Sequence, residues 1–190
     1  MTRLLILPGS TRTGAFSKQL AAAAAQLAAG VASQVTTLDL RDYGMPLYDG
    51  DLEAATGLPE GAVRLRAVLQ AHDTLLFVTP EYNASIPAVL KNTLDWLSRP
   101  NPAEPGVSVF RGKVAALLAS SPGALGGLRA LEHLRQVLRN LGLLVLTEQF
   151  ALGHAGSAFA PDGSLVDGKQ AATVRGVVER LLKVAAALAG

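Results

Sequence analysis

The chain has 190 residues, 49% of them hydrophobic and 17% charged, which suits one globular domain spanning residues 1–190 and leaves two independent domains cramped. It contains no cysteine, which excludes disulfides, thiolate metal sites, cysteine nucleophiles and dithiol relays, so any redox chemistry has to come from a bound cofactor. Its 17 basic and 15 acidic residues are spread along the chain to a net charge of +2 with no run of one sign, a pattern that argues against a nucleic-acid partner.

The N-terminal MTRLLILPGSTR carries an apolar run of only four residues before Pro8, too short for a signal-peptide core or a membrane span. It predicts an internal strand over 3–7 and, with it, a cytoplasmic location. Further short apolar runs predict strands over 74–79, 114–119 and 143–147, each buried on both faces, and a weaker one over 35–38. Between them, apolar residues recur at helical spacing over 17–29, 59–71, 87–97, 128–141 and 169–188, and several of these segments begin with Ser or Pro, which suit a first helical turn. Strand and helix alternate with crossover-length connections, which predicts an α/β fold of three layers: a five-stranded parallel sheet in the order 2-1-3-4-5 with helices on both faces. A ligand in such a sheet sits beyond the carboxyl ends of the strands where the order reverses. The Pro-rich stretch 99–112 is predicted as a surface connection and a rim of that site.

Three loops fall at that edge. The first, PGSTRTGAFSK from Pro8, precedes a helix whose capping residue is predicted to be Ser17. A helix N-terminus presents unpaired N–H groups and about half a positive charge; Gly9 and Gly14 allow close backbone approach, and Ser10, Arg12 and Ser17 add donors suited to a phosphate monoester. The competing reading is an ordinary βα turn with an incidental Arg. A Walker loop would need Gly-Lys-Ser/Thr at its end and a dinucleotide fingerprint Gly-x-Gly-x-x-Gly, and neither spacing is present. The second loop, at Pro80, Glu81, Tyr82, Asn83 and Ser85, offers backbone amides and an aromatic ring to the edge of a flat heterocycle, or is a generic Pro-containing turn. The third, SSPGALGG from Ser120, with Ser121 and Gly123, could wrap the other side of the same heterocycle, or be a flexible βα loop. His72, His133 and His154 form no ligand spacing and read as solvated or helix-surface residues, so no metal site is predicted. Trp96 and Leu97 follow the helical period and read as core or subunit packing.

The pieces GSTRTGAFS, PLYD (46–49), TPEYNASIPAVLKNTLDWLSR, SSPGALGGLRALEHLRQVL and DGSLVD resemble the NADPH-dependent FMN reductases, and within them the bacterial chromate and quinone reductase branch, over nearly the whole chain. The resemblance implies a flavodoxin-like fold that holds FMN non-covalently, with the phosphate at Ser10, Arg12 and Ser17 and the ring beside 80–85 and 120–123. It further implies NADPH or NADH as co-substrate, a homodimer or homotetramer with flavin near a subunit interface, and Tyr48 and Asp49 reaching a neighbour's flavin. The sequence departs from relatives at Ala15, often Ser, at Ser17, often Asn, and at Ala84, often aromatic; loss of that aromatic puts acceptor preference in question. The predicted function is ping-pong electron transfer from NAD(P)H to quinones, free flavin, azo compounds or chromate, with the hydride chemistry at flavin N5 and no side-chain acid or nucleophile. Two rivals are a flavodoxin-type carrier, against which the near-neutral charge speaks, and a non-catalytic binding module of the same fold, against which the intact loop donors speak.

Overall fold

In a computed structural model that describes residues 2–102 and 105–188, five parallel strands form one sheet in the order β2-β1-β3-β4-β5, as predicted. They are β1 (Arg3–Pro8), β2 (Gln34–Thr37), β3 (Thr74–Pro80), β4 (Val114–Ser120) and β5 (Leu144–Leu152). The helices are α1 (Phe16–Ala28), α2 (Gly50–Thr56), α3 (Glu60–Gln70), α4 (Ala88–Leu97), α5 (Leu128–Asn140) and α6 (Gly168–Leu188).

Side chains alternate across the central strands and so feed two cores. Leu4, Ile6, Leu76, Val78, Ala116 and Leu118 meet Leu20 and Ala24 of α1 and Val178 and Leu181 of α6. Leu5, Leu7, Leu75, Phe77, Ala115 and Leu117 meet Leu65 of α3, Leu90 and Leu94 of α4, and Leu131 and Leu134 of α5. Every residue of β3 and β4 is buried, which explains why a strand as rich in Ala as VAALLAS forms despite alanine's low strand preference: burial on both faces, not intrinsic propensity, decides it.

The elements depart from prediction at the edges. β5 runs to Leu152 rather than stopping near 147, because an edge strand tolerates the polar Thr147, Glu148 and Gln149, and a register shift opposite 115–117 re-aims it. The short α2, with no buried residue, carries no apolar stripe by which periodicity could have revealed it. None of the described residues of the 99–112 stretch lines the cavity at the strands' carboxyl ends, so the predicted rim is corrected for them. Val109 and Phe110 are in the core, and the buried Arg66 guanidinium donates to the carbonyls of Leu97, Arg99 and Gly106 at 2.6, 3.0 and 3.1 Å. A connection leading into the amino end of β4 is anchored at the edge opposite the strands' carboxyl ends.

Candidate functional site

β1, β3 and β4 deliver the three loops to one edge, where Arg12, Ala15, Phe16, Pro80, Glu81, Tyr82, Ser120, Ser121 and Pro122 enclose a cavity of about 190 Å³. Convergence is built into the register: Pro8 pairs with Val78, and Pro80 with Ser120, so the three strands end nearly level.

In the first loop, α1 begins at Phe16 and its N-cap is Ala15, which has no side-chain acceptor. Ser17 is therefore not the cap, a correction to the sequence reading. It lies inside the first turn, fully buried, and its Oγ has no hydrogen-bond partner among the described residues. No acidic residue occupies that first turn. Ser10, 3% exposed, accepts the Arg12 N–H on its Oγ at 3.2 Å, which folds the loop back over the helix end. Arg12 is exposed, with its guanidinium 5.8 Å from the Phe16 ring.

The second loop is a tight hairpin. Tyr82 and Ser85 exchange both backbone hydrogen bonds at 3.0 Å, with Asn83 and Ala84 at φ of 50° and 62°. A two-residue turn with both central φ angles positive is the type that matches strand twist, and Asn tolerates it; Ala at 84 bears strain of roughly 1–2 kcal/mol. His133 of α5 steadies the hairpin, its Nδ1 lying 2.9 Å from Ser85 Oγ. Pro80 completes β3 and is buried. Glu81 spends its carboxylate within the protein: it pairs with Arg129 and accepts the backbone N–H groups of Arg129 and Ala130 at 3.1 and 3.2 Å. Burial raises its carboxyl pKa, but these donors outweigh that and hold it below the ordinary value.

The third loop is wound rather than loose. Ser121 Oγ accepts the Gly123 N–H at 3.2 Å, and the Gly123 carbonyl accepts from Gly126 and His154. Gly127, at φ 94°, turns the chain into α5. Ser120 is buried at the end of β4, and its Oγ, like that of Ser17, lacks a partner among the described residues. Natural proteins leave few buried hydroxyls unpaired; of these two, Ser120 lines the cavity and Ser17 lies next to the wall residue Phe16. A phosphate at the α1 end and a ring between the second and third loops fit these donors.

Of the sequence-predicted residues, Arg12, Pro80, Glu81, Tyr82, Ser120 and Ser121 line the cavity, while Ser10 and Ser17 lie along the first loop and helix turn that supply part of its wall. Asn83 and Ser85 instead face a broader hollow of about 1060 Å³ between α4 and α5, which also takes Lys91, His133 and Arg139 and shares Tyr82 with the cavity. Gly123 is exposed and lines neither. Sequence reasoning missed Ala15 and Phe16 as wall residues, although an aromatic at the start of the helix that follows a Gly-containing loop was a usable signal. His72 corrects another expectation: it is 5% exposed, with Nδ1 on the Val68 carbonyl and Nε2 on Thr36 Oγ1. His133 and His154 are exposed as expected.

The PLYD segment is pinned to α4. Asn92 accepts the Tyr48 N–H at 2.7 Å and donates to the Pro46 carbonyl, which also takes the Trp96 indole N–H. Tyr48 donates its hydroxyl to Glu53 within the same chain, and Asp49 caps α2. Trp96 and Leu97 are fully buried, which makes them core residues.

The fold and the three-loop edge are those of a flavodoxin-like flavoenzyme. The structure aligns with the flavoenzyme NAD(P)H:(acceptor) oxidoreductase of Paracoccus denitrificans at a TM-score of 0.85 and 30% identity, covering 98% of each chain. Residues 2–157 match the family model of the NADPH-dependent FMN reductases, and the chain belongs to that family. It is 41% identical to an NAD(P)H-dependent FMN reductase of Pseudomonas aeruginosa, over 88% of this chain and 86% of the relative. With a 2-hydroxy-1,4-benzoquinone reductase of a Burkholderia species it shares 39% identity over 86% and 85% of the two chains. The protein is accordingly an oxidoreductase with FMN and NAD(P)H as its cofactors. No helix among the described residues is long and apolar enough to cross a membrane.

Proposed function

We propose that this protein takes electrons from NAD(P)H and passes them by a ping-pong mechanism to small acceptors, quinones first, with free flavin, azo compounds and chromate as further candidates. The observation that carries the reading is a pair of unpartnered buried hydroxyls: Ser120 Oγ, of a residue in the cavity wall, and Ser17 Oγ, in the first turn of α1 next to the wall residue Phe16. Bound FMN supplies the two-electron chemistry, and the chain's own task is binding and exclusion. Ser10, Arg12 and Ser17 at the α1 N-terminus hold the phosphate, while Pro80 to Ser85 and Ser120 to Gly123 grip the ring.

The cavity is smaller than the few hundred Å³ of a typical enclosed ligand pocket. It is a notch that holds one edge of a heterocycle, which leaves a face open to donor and acceptor in turn. An open face discriminates poorly among flat or small acceptors, and quinone reduction is supported by the likeness to benzoquinone and quinone reductases. We place the protein in the cytoplasm, where NAD(P)H is available, as a homodimer or homotetramer; the exposed Tyr82 and Leu125 on the second and third loops, with Leu128 at the start of α5, give a second subunit apolar surface to cover. Initial rates with NADPH varied against several fixed concentrations of a benzoquinone test the mechanism. Parallel double-reciprocal lines are the expected outcome, and intersecting lines contradict a shared site used in alternation.

A further inference from the structure

Glu81 stands where the second and third loops join, and its carboxylate answers two positive sources at once. Oε1 accepts from the Arg129 guanidinium through Nε, at 2.8 Å, and through Nη2; Oε2 accepts the backbone N–H groups of Arg129 and Ala130. Those amides belong to the first turn of α5, whose N-cap, Gly127, has no side chain and whose first turn holds no acidic residue. The Glu81 side chain is 7% exposed against 57% for Arg129, and Glu81 is part of the cavity wall.

Capping alone needs only an oxygen acceptor, which a Ser or Asn supplies without the desolvation cost of a buried charge. A carboxylate here does something a neutral cap does not: it cancels the guanidinium charge and the roughly half charge of the helix end beside the cavity. A cofactor that takes up electrons in that cavity becomes more negative, and uncompensated positive charge would hold its reduced form too firmly for onward transfer.

We propose that Glu81 sets the redox balance of the site, its carboxylate cancelling positive potential that Arg129 and the α5 N-terminus would otherwise direct at the bound cofactor. The inference rests on the FMN reading above. It assigns opposite signs to the two partners: loss of the Glu81 charge favours reduced FMN, and loss of the Arg129 charge favours oxidised FMN.

The test uses the full chain freed of flavin and reconstituted with FMN, as wild type, Glu81→Gln and Arg129→Met. Fluorescence titration gives the Kd for oxidised FMN, and equilibration against a reference dye gives the midpoint potential. Glu81→Gln keeps an oxygen for the cap; it is expected to raise the preference for reduced over oxidised FMN about tenfold, which on a two-electron couple is about 30 mV upward. Arg129→Met is expected to move the potential downward. Two potentials that stay at the wild-type value, or that move in the same direction, overturn the inference and leave a purely structural clasp. If Glu81→Gln does not fold, the sign of the Arg129→Met shift decides: a fall supports the inference, and no change or a rise overturns it. A wild-type chain that takes up no FMN overturns the parent reading, whereas one that binds FMN with unmoved variant potentials overturns this inference alone.

Discussion

At the scale of single residues, Ser17 separates stability from function. A buried hydroxyl without a partner costs the free protein about 1–3 kcal/mol, so Ser17→Ala is expected to raise the melting temperature of the flavin-free protein while weakening FMN binding. Arg12→Ala, at an exposed position, is expected to leave the fold intact and weaken FMN about tenfold or more through loss of one charge-assisted contact. Melting curves and flavin titrations of the two variants check both; a Ser17→Ala protein less stable in the free state, or either variant retaining wild-type affinity, contradicts the phosphate assignment. Most of this site was legible as residue types, because hydroxyls, an Arg and glycines before a helix describe an anion cradle wherever they occur. The employment of each group was not. Ser17 read as a cap and proved to be an unpartnered hydroxyl inside the turn, the Glu81 carboxylate, read only as part of the second loop's polar centre, proved to be engaged with α5, and His72 read as solvated and proved to bridge Val68 and Thr36. The contacts of Glu81 with α5 and of His72 with Thr36 join residues 36 to 49 apart in sequence, a distance over which local pattern carries no information.

Among the elements, the central strands and long helices were readable to within a residue or two because each has a continuous apolar run or a clear apolar face. α2 and the true end of β5 escaped because neither is defined by burial on a regular period. The turn into α5 is the element-level feature most exposed to substitution. Gly127 has φ 94°, and a Cβ there would come within 2.8 Å of the Ala119 Cβ. Gly127→Ala is therefore expected to cost about 1–2 kcal/mol from the left-handed conformation alone, with a further loss from that contact. Urea unfolding measures it; an unchanged midpoint would mean that the turn relaxes freely. The same turn carries the amides that Glu81 caps, so the variant is also expected to loosen the second loop from the third.

For the molecule as a whole, several carboxylates act together in acid. Asp39, Glu53, Asp73 and Glu81 are each held below their ordinary values: Glu53 and Asp73 chiefly by hydrogen bonds from Arg99 and Arg3, Asp39 and Glu81 by basic partners that outweigh burial. A depressed folded pKa contributes stability that is fully present above the unfolded value and is lost as pH falls through the folded one. The melting temperature is therefore expected to hold down to about pH 5 and to fall increasingly below the ordinary carboxyl values of 3.8 and 4.5, as circular dichroism at stepped pH would record; a flat profile from pH 5 to pH 3 contradicts it. The central claim concerns what the three-loop edge does, and one spectrum tests it most directly. Purified protein, loaded with FMN and kept without oxygen, is given NADPH, then NADH in a second sample, and finally a benzoquinone. Flavin absorption that bleaches with NAD(P)H and returns with the quinone is the predicted result, while flavin that binds and never bleaches, or a chain that takes up no FMN at all, contradicts the account.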